Sequence, residues 1–355
     1  MIQQGHLQVF ELRLETKSPV FIGNGKSYTK KEYLFDPKRK IVSFLDEQKF
    51  FTYLVRHGLV DDYENFILRD AGKNLFSFLQ NDCRVSREDM EAFIRCRIDA
   101  ADALDEDHTL KEIQQFIRSP AGQVYIPGSS IKGALRTALL KAILLKNPPK
   151  NPDPQLPFDR KASFEPTYFH TLSLKPDRQN PLNSILQGVR ISDSAPISNR
   201  QLALTRKIDE FPDETYNSIN ICRECIRPGT VVTCTLTLDQ SVLRNEQYVD
   251  TLREAIAAAS QFYQDTVLPH YPQTSNYMNS RTLLLGGGVG FQSKTVTEPY
   301  YGQNALDVTS KLLGNAFRKH HHERDAAGGI SPRALKQTDL NGAAYPFGVC
   351  EVTIR

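Results

Sequence analysis

A junction between a short strand and a helix decides the fold of this 355-residue chain, and it reads Ile126-Pro127-Gly128-Ser129-Ser130-Ile131-Lys132-Gly133-Ala134-Leu135-Arg136. The segment 124–126 predicts the strand. An apolar stripe at helical spacing follows it: Ile131, Leu135, Ala138, Leu139 and Ala142. The sequence therefore predicts a strand that runs directly into an amphipathic helix.

The start of this helix also has the chemistry of an anion site. Ser129 or Ser130 can cap it, and the first-turn N–H groups then point outward. Lys132 and Arg136 are four residues apart and share one side of the helix, while Gly133 lets another backbone approach closely. The stretch predicts a phosphate-binding helix end, and a capped core helix with solvated basic residues fits the same pattern equally well.

A glycine-rich stretch at 283–291 is the second informative motif. No helical pattern follows it, which argues against a dinucleotide-binding fingerprint. We predict instead that the backbone at Gly286, Gly287 and Gly288 lies very close to a polymer. Phe291 could then stack on a base and Lys294 could meet a phosphate. A flexible hairpin is the alternative interpretation.

The loop predicted at 23–32 resembles a nucleotide-binding loop only superficially. A phosphate-binding loop of that class would need a glycine at the position of Val20 and an apolar helix after Ser27. Nucleotide hydrolysis is therefore excluded at this site. Its basic residues, Lys26, Lys30 and Lys31, could still contact nucleic acid.

Cysteines and histidines give no convincing metal or catalytic pattern. Cys222 and Cys225 form half of a zinc site, without a second pair at conventional spacing. His320, His321 and His322 cannot all face one site, so a solvated basic loop is favoured over a general base. We expect no metal, no cofactor and no small-molecule substrate.

The order of elements predicts an α+β fold. Without its insertions the chain reads strand, helix, strand, strand, helix, strand, the ferredoxin-like βαββαβ order that also underlies the RNA-recognition motif. The strands are predicted at 10–14, 33–35, 124–126, 187–192, 230–238, 282–285 and 347–354, and the second helix at 252–263. The predicted core of this single unit comprises 5–45, 123–146, 186–240, 245–300 and 343–355.

Three segments lie outside that core. A helical insertion is predicted at 46–122, a proline-rich loop or arm at 147–185, and a basic flexible segment at 301–342. Within the insertion, Ser86 and Asp89 resemble a capping box at the start of a helix.

Bulk composition limits the functional classes. The chain is 40% apolar and 24% charged, as is usual for folded proteins, and its formal charge is only +3. Nucleic-acid affinity would therefore require local clusters of lysine and arginine. No stretch has the pattern of a membrane span or a secretory signal, so a cytoplasmic location is expected.

The strings at 126–136 and 285–291, together with Ser18-Pro19-Val20-Phe21-Ile22-Gly23-Asn24-Gly25, resemble the RAMP superfamily of CRISPR-associated RNA-binding proteins. Within it, the chain is most similar to the type III-A (Csm) effector-complex subunits that cap the 3′ end of the crRNA. This resemblance implies crRNA, the repeating backbone RAMP subunit and the small helical subunit as partners. It implies guide contacts at Ser129, Ser130, Lys132, Arg136, Gly286, Gly287, Gly288 and Phe291.

Three functional hypotheses follow. The favoured one is a non-catalytic guide-binding subunit, because the loop at 23–32 lacks the aspartate with which backbone subunits of the resembled complexes cut RNA. The second is an endoribonuclease that uses a histidine at 6, 57, 108, 170 or 320–322. The third is a protein–protein scaffold that docks through 46–118 without RNA affinity of its own.

Overall fold

The computed structural model describes residues 1–69, 72–104, 110, 112–153 and 164–355. Within them the strands form three sheets, and helices lie between groups of strands along the chain. The strands are, in chain order, β1 Ile2–Gln4, β2 Leu7–Thr16, β3 Gly23–Tyr28, β4 Tyr33–Asp36, β5 Ile41–Leu45, β6 Ile94–Asp99, β7 Ile113–Phe116, β8 Val189–Ile191, β9 Leu202–Glu210, β10 Tyr216–Ile226, β11 Val231–Asp239, β12 Thr282–Leu284, β13 Leu335–Leu340, β14 Ala343–Pro346 and β15 Val349–Ile354. The helices are α1 Glu47–His57, α2 Val60–Arg69, α3 Leu75–Ser77, α4 Arg87–Glu91, α5 Gly128–Lys146, α6 Glu165–Phe169, α7 Gln240–Leu243, α8 Tyr248–Thr266, α9 Phe291–Lys294, α10 Thr297–Tyr301 and α11 Ala305–Ala316. The protein is therefore a mixed α and β fold.

The first sheet has the strand order β12-β15-β2-β11-β8, β1 also pairs with β2, and the pairings are antiparallel. Phe10, Leu12 and Leu14 of β2 are buried while Glu11 between them is exposed, which confirms the strand predicted from this alternation. The strands predicted at 187–192, 230–238, 282–285 and 347–354 are also confirmed, as β8, β11, β12 and β15, and the one predicted at 33–35 is confirmed as β4 of another sheet.

Helices α5 and α8 pack against each other beside this sheet. The predicted stripe of α5 is buried throughout, and Leu252, Ala255 and Ile256 of α8 join the same hydrophobic core. Both predicted helices are confirmed. The strand predicted at 124–126 is wrong, because Val124 forms only isolated bridges with Arg118 and Ile197. In the described part of the chain, no helix is both long and apolar enough to cross a membrane.

The second sheet has the order β14-β13-β9-β10-β7-β3, antiparallel except for the parallel pair β10 and β7. Its edge strand β3 contradicts the loop predicted at 23–32. Ser27 and Tyr28 pair with Gln114 and Ile113 of β7, and Tyr28 is buried. Strand β3 consists mostly of glycine and polar residues, which give no local strand pattern, and its pairing partner β7 lies far away in sequence.

The third sheet, β4-β5-β6, supports a small layer of helices. Helices α1 to α4 of the predicted insertion enclose their own core around Phe50, Leu54 and Phe93. Ser86 caps α4, since its Oγ accepts from the Asp89 N–H at 3.0 Å. The second half of 46–122 is not helical, because the alternating run at 94–98 forms β6 and β7 follows it.

The two remaining segments are more ordered than predicted. Within 147–185, residues 154–163 lie outside the described residues, and the rest contains α6 and short 3-10 turns stabilised by the buried Asn183. Within 301–342, α10 ends, and α11 and β13 replace the predicted flexible segment. Long-range pairing of β13 with β9 supplies order that local composition does not predict.

Candidate nucleic-acid interface

The start of α5 is capped by a carboxylate from elsewhere in the chain. Pro127 occupies the cap position without a side-chain hydrogen bond, and the Gly128 N–H donates to Asp193 Oδ1 at 2.8 Å. The prediction that Ser129 or Ser130 caps the helix is therefore wrong, because the helix begins at Gly128 instead. Ser129 is exposed and Ser130 half-buried. The predicted anion site is already partly occupied by the protein's own acid.

The close backbone approach predicted at Gly133 occurs at Gly128. A Cβ on Gly128 would lie 2.2 Å from the carbonyl oxygen of Ile191, at the end of β8. A Cβ on Gly133 would have no described atom of the chain within 4 Å. The glycine that the fold requires is thus the one that lets β8 pass the helix start.

Lys132 and Arg136 share one side of α5, as predicted, but they differ in what they contact. Lys132 Nζ donates to the carbonyl oxygens of Leu186 and Val189 at 2.8 and 2.7 Å. Burial, then the charges of Arg136 and Arg190, lower the pKa of Lys132. Arg136 is exposed. Lys132 therefore holds the turn before β8, and Arg136 presents the charge to the surface.

The glycine-rich loop, residues 286–290, lies against its own chain. Gly287 N–H donates to the Phe21 carbonyl oxygen at 2.6 Å. A Cβ on Gly286, whose φ is +90°, would lie 2.2 Å from that oxygen, and one on Gly287 would lie 2.9 Å from Phe21 Cδ1. The loop thus meets the predicted strand-to-loop motif at 18–25. At Gly286 and Gly287, the predicted close approach is to this segment.

Arg223 of β10 lies beneath this loop, and sequence analysis missed it. A Cβ on Gly288 would lie 2.9 Å from Arg223 Nη1. The guanidinium stacks on Phe21 and Phe347, 5.0 and 5.2 Å from the ring centroids, and Nε donates to Gln114 Oε1 at 2.9 Å. Nη1 is buried with no hydrogen-bond partner among the described residues. Its aromatic neighbours are distant in sequence, so no local signal marks it.

Two short helices, α9 and α10, follow the glycine-rich loop, contrary to the prediction of no helix there. Phe291 begins α9 and is half-buried, and Lys294 ends it and is exposed. Partial burial and then the Arg223 charge lower the pKa of Lys294. Two cations, Lys294 and Arg223, therefore lie together beside the loop.

Helix α5 connects this loop to the site at its own start. Lys141 is buried and its Nζ donates to the carbonyl oxygen of Gln292 at 2.6 Å. Burial lowers the pKa of Lys141 to about 8, against the opposing charge of Glu298. At 1.5 Å per residue, Lys141 lies about 20 Å along the helix from Gly128. The two predicted groups of RNA contacts therefore lie at separate positions along one helix and do not form a single pocket.

The lysines of 23–32 are mostly used inside the protein. Lys30 Nζ donates to the Gly72 carbonyl oxygen at 2.8 Å. Lys31 Nζ donates to the carbonyl oxygens of Phe66 and Ile67 at the end of α2, and it lies 5.2 Å from the Phe66 ring. Lys30 and Lys31 therefore have a structural role, and their nucleic-acid contacts stay a prediction. Lys26 is exposed on β3.

Cys222 and Cys225 are buried in β10. Cys225 Sγ lies 3.3 Å from Thr205 Oγ1, and burial raises the pKa of the Cys225 thiol to about 12 and that of Cys222 well above its usual value. Thiols with raised pKa values are poor nucleophiles and poor metal ligands. Across the described ranges, no group of three or more His, Cys, Asp or Glu residues could hold a metal ion.

The histidine cluster is only partly the solvated loop that was predicted. His321 is exposed beside Glu323, whereas His322 and Asp325 are buried. His322 Nδ1 lies 2.8 Å from Asp325 Oδ2, and Ser331 Oγ donates to the same oxygen at 2.7 Å. A 3-10 turn places residues three apart on one side, which buries this pair.

Comparison with known proteins places the chain in a family. The CRISPR system Cms protein Csm5 of Mycobacterium tuberculosis is 28% identical over 380 residues, covering 99% of this chain and 98% of that protein. The protein of the same name from Streptococcus thermophilus is 29% identical over 306 residues, covering 81% and 80%. A chain of the cryo-EM structure of a type III-A Csm–crRNA–target RNA ternary complex has the same fold, with a TM-score of 0.74 at 18% identity over 97% of this chain and 100% of that one. The family model of the RAMP superfamily matches residues 13–306, and the protein belongs to that superfamily.

Proposed function

We propose that the protein is a non-catalytic crRNA-binding subunit of a type III-A CRISPR effector ribonucleoprotein. In this role it holds the 3′ region of the guide by backbone contacts and caps the filament of backbone subunits. Similarity to Csm5 proteins over nearly the whole chain supports this assignment. The observation that carries it is the pairing of Lys294 with Arg223, whose Nη1 is buried without a described partner, beside the glycine-rich loop. Two cations held side by side in this way suit a polyanion.

We also propose that the first sheet with α5 and α8 is a ferredoxin-like unit of the RNA-recognition type. The order β2, α5, β8, β11, α8, β15 supports it, as does the position of β2 between β15 and β11. Strands β3 to β5 belong to other sheets, so the core is smaller than the predicted 5–45 at its N-terminal end. The segment containing α1 to α4 is then an insertion that meets neighbouring subunits.

The proposed guide contacts fall into two groups along α5. The first group comprises Ser129, Ser130 and Arg136, and Lys132 positions it through its hydrogen bonds to the turn before β8. The second group comprises Gly286, Gly287, Gly288, Phe291 and Lys294 of the glycine-rich loop and α9, with Lys26 on the adjoining β3. Exposed side chains would meet phosphates, and the half-buried Phe291 would meet a base.

Absence of catalysis is proposed from the chemistry of 23–32. Glu32 is the carboxylate of this segment, and its Oε2 accepts hydrogen bonds from the Thr29 N–H and Oγ1 at 2.8 and 2.9 Å. An oxygen that closes a turn in this way is not available to activate a nucleophile. This argues against RNA cleavage by a carboxylate of this loop, and the histidine-dependent endoribonuclease stays the alternative. Of the histidines considered for that alternative, His108 lies outside the described residues.

The test is binding of the full chain, alone and assembled with its complex, to an unstructured labelled RNA over a salt series. The variant Arg136→Ala/Lys294→Ala should weaken binding and reduce the slope of log K against log salt by about 1.4, because each single-strand phosphate contact contributes about 0.7. The control Lys146→Ala/Lys311→Ala removes two exposed charges from the C-terminal end of α5 and from α11 and should leave the slope unchanged. Intact RNA on a denaturing gel is expected, whereas specific cleavage would favour the endoribonuclease.

A further inference from the structure

Basic side chains cross one face of the second sheet, starting beneath the glycine-rich loop. Arg223 of β10 pairs with Thr205 of β9, so the two point to the same face. Lys207 lies two residues from Thr205, and Lys336 of β13 pairs with Asp209, two residues further on. The register therefore lines up Arg223, Lys207 and Lys336 across three neighbouring strands. We call these residues, with the adjoining Lys294, the basic stripe.

The charges of the basic stripe repel one another. Burial, then Lys336, and also Arg223, lower the pKa of Lys207, while Asp209 partly opposes them. Burial lowers the pKa of Arg223 as well. At Lys207, folding therefore brings the like charges of Lys336 and Arg223 close at an electrostatic cost. A bound anion offsets this cost, and a polyanion that follows the stripe offsets it at several points.

Among the described ion pairs, Asp209 is the acid that contacts the basic stripe. Its Oδ2 lies 2.7 Å from Lys336 Nζ, and its Oδ1 lies 3.6 Å from Lys207 Nζ. One carboxylate between two lysines carries the single negative charge that an RNA phosphate would bring to the same ammonium groups. The lysine side chains are 17% and 25% exposed, so both are partly accessible, whereas Asp209 between them is buried.

We infer that the basic stripe is a second phosphate-binding surface, which takes a single-stranded RNA from the glycine-rich loop across the face of β10, β9 and β13. This inference rests on the proposed function and extends it, because none of Arg223, Lys207 and Lys336 belongs to the motifs that marked the first two groups of contacts. Asp209 acts as an internal counter-ion that holds the lysines in place until a phosphate competes for them.

Two variants with opposite expected effects test this role. Asp209→Asn removes the internal competitor and should tighten RNA binding about 3- to 5-fold, because the two partly exposed lysines lose their counter-ion. Lys207→Gln/Lys336→Gln should weaken binding about tenfold and reduce the salt slope by about 1.4. The matched control is Lys146→Gln/Lys311→Gln, which removes two exposed charges outside the proposed contacts. Affinity is measured with an unstructured RNA of 20 nucleotides, using the full chain and the assembled complex.

Lys207→Gln/Lys336→Gln leaves Asp209 without its partners, so the thermal unfolding of this variant is measured as well. If it unfolds, Lys207→Gln/Asp209→Asn/Lys336→Gln, which also removes the unpaired charge, provides a folded variant. Wild-type affinity in that folded variant, with weakened binding in Arg136→Ala/Lys294→Ala, would overturn the inference and leave the proposed function intact. Loss of subunit assembly with unchanged RNA affinity would assign the stripe to a protein partner and also overturn it. No RNA binding by the wild-type chain, alone or assembled, would reject both.

Discussion

The start of α5 and the glycine-rich loop differ in what their cations contact. At the helix start, Asp193 takes the Gly128 N–H, and the Lys132 ammonium is shared between two carbonyl oxygens. At the loop, Lys294 is exposed next to Arg223, and Arg223 Nη1 has no described hydrogen-bond partner. Both regions contain lysine and glycine in a pattern typical of RNA contacts. The difference teaches that such a lysine can serve the fold in one place and remain available to a ligand in the other.

The largest effect that would sharpen this comparison concerns the glycine at the helix start. Gly128→Ala should lower the free energy of unfolding by about 3 kcal/mol, because its Cβ would meet the Ile191 carbonyl oxygen, a backbone atom that cannot move aside. Gly133→Ala is the matched control on the same helix and should raise that free energy by about 0.5–1 kcal/mol. Chemical denaturation measures both. Equal effects would mean that β8 does not pass the helix start as described.

A smaller effect separates the two lysines directly. Lys132→Met leaves the Leu186 and Val189 carbonyl oxygens without their donor, and the free energy of unfolding should fall by about 2 kcal/mol. Lys294→Met removes an exposed charge and should change that free energy by less than about 0.5 kcal/mol. For RNA binding we expect the larger effect from Lys294→Met, which should reduce the slope of log K against log salt by about 0.7. A Lys132→Met variant of wild-type stability would contradict the structural role.

The last effect concerns the link between the two regions, and it builds up gradually with pH instead of acting at a single condition. Lys141 has a pKa of about 8 in the folded protein against 10.5 as its ordinary value, so the folded state binds its proton more weakly than the unfolded state does. Its destabilising contribution is therefore complete below pH 8 and disappears as the pH rises to 10.5. The free energy of unfolding of the wild type, relative to Lys141→Met, should rise across this window by at most about 1.4 kcal/mol per pH unit. A difference that stays constant with pH would refute the lowered pKa.

The elements that local pattern specifies were predictable, and the contacts between distant segments were not. The stripe of α5 repeats every three to four residues and needs no knowledge of the rest of the chain. The cap of that helix comes from Asp193, 65 positions away, and the Lys132 acceptors lie 54 and 57 positions away. Strand β3 was missed for the same reason, since its pairing with β7 is invisible in its own residues. Arg223 was missed because its stacking rings belong to other segments.

The location of β2 in the first sheet affects how the protein folds during synthesis. Strand β2 is made early, yet one of its neighbours is β15, and the Val349 N–H donates to Ser18 Oγ across 331 positions of sequence. Until the ribosome has released that strand, β2 has an open edge, and the glycine-rich loop lacks the Gly348 carbonyl oxygen that accepts from Leu285. Open strand edges recruit other chains, so the nascent protein is prone to aggregation until β15 has been made.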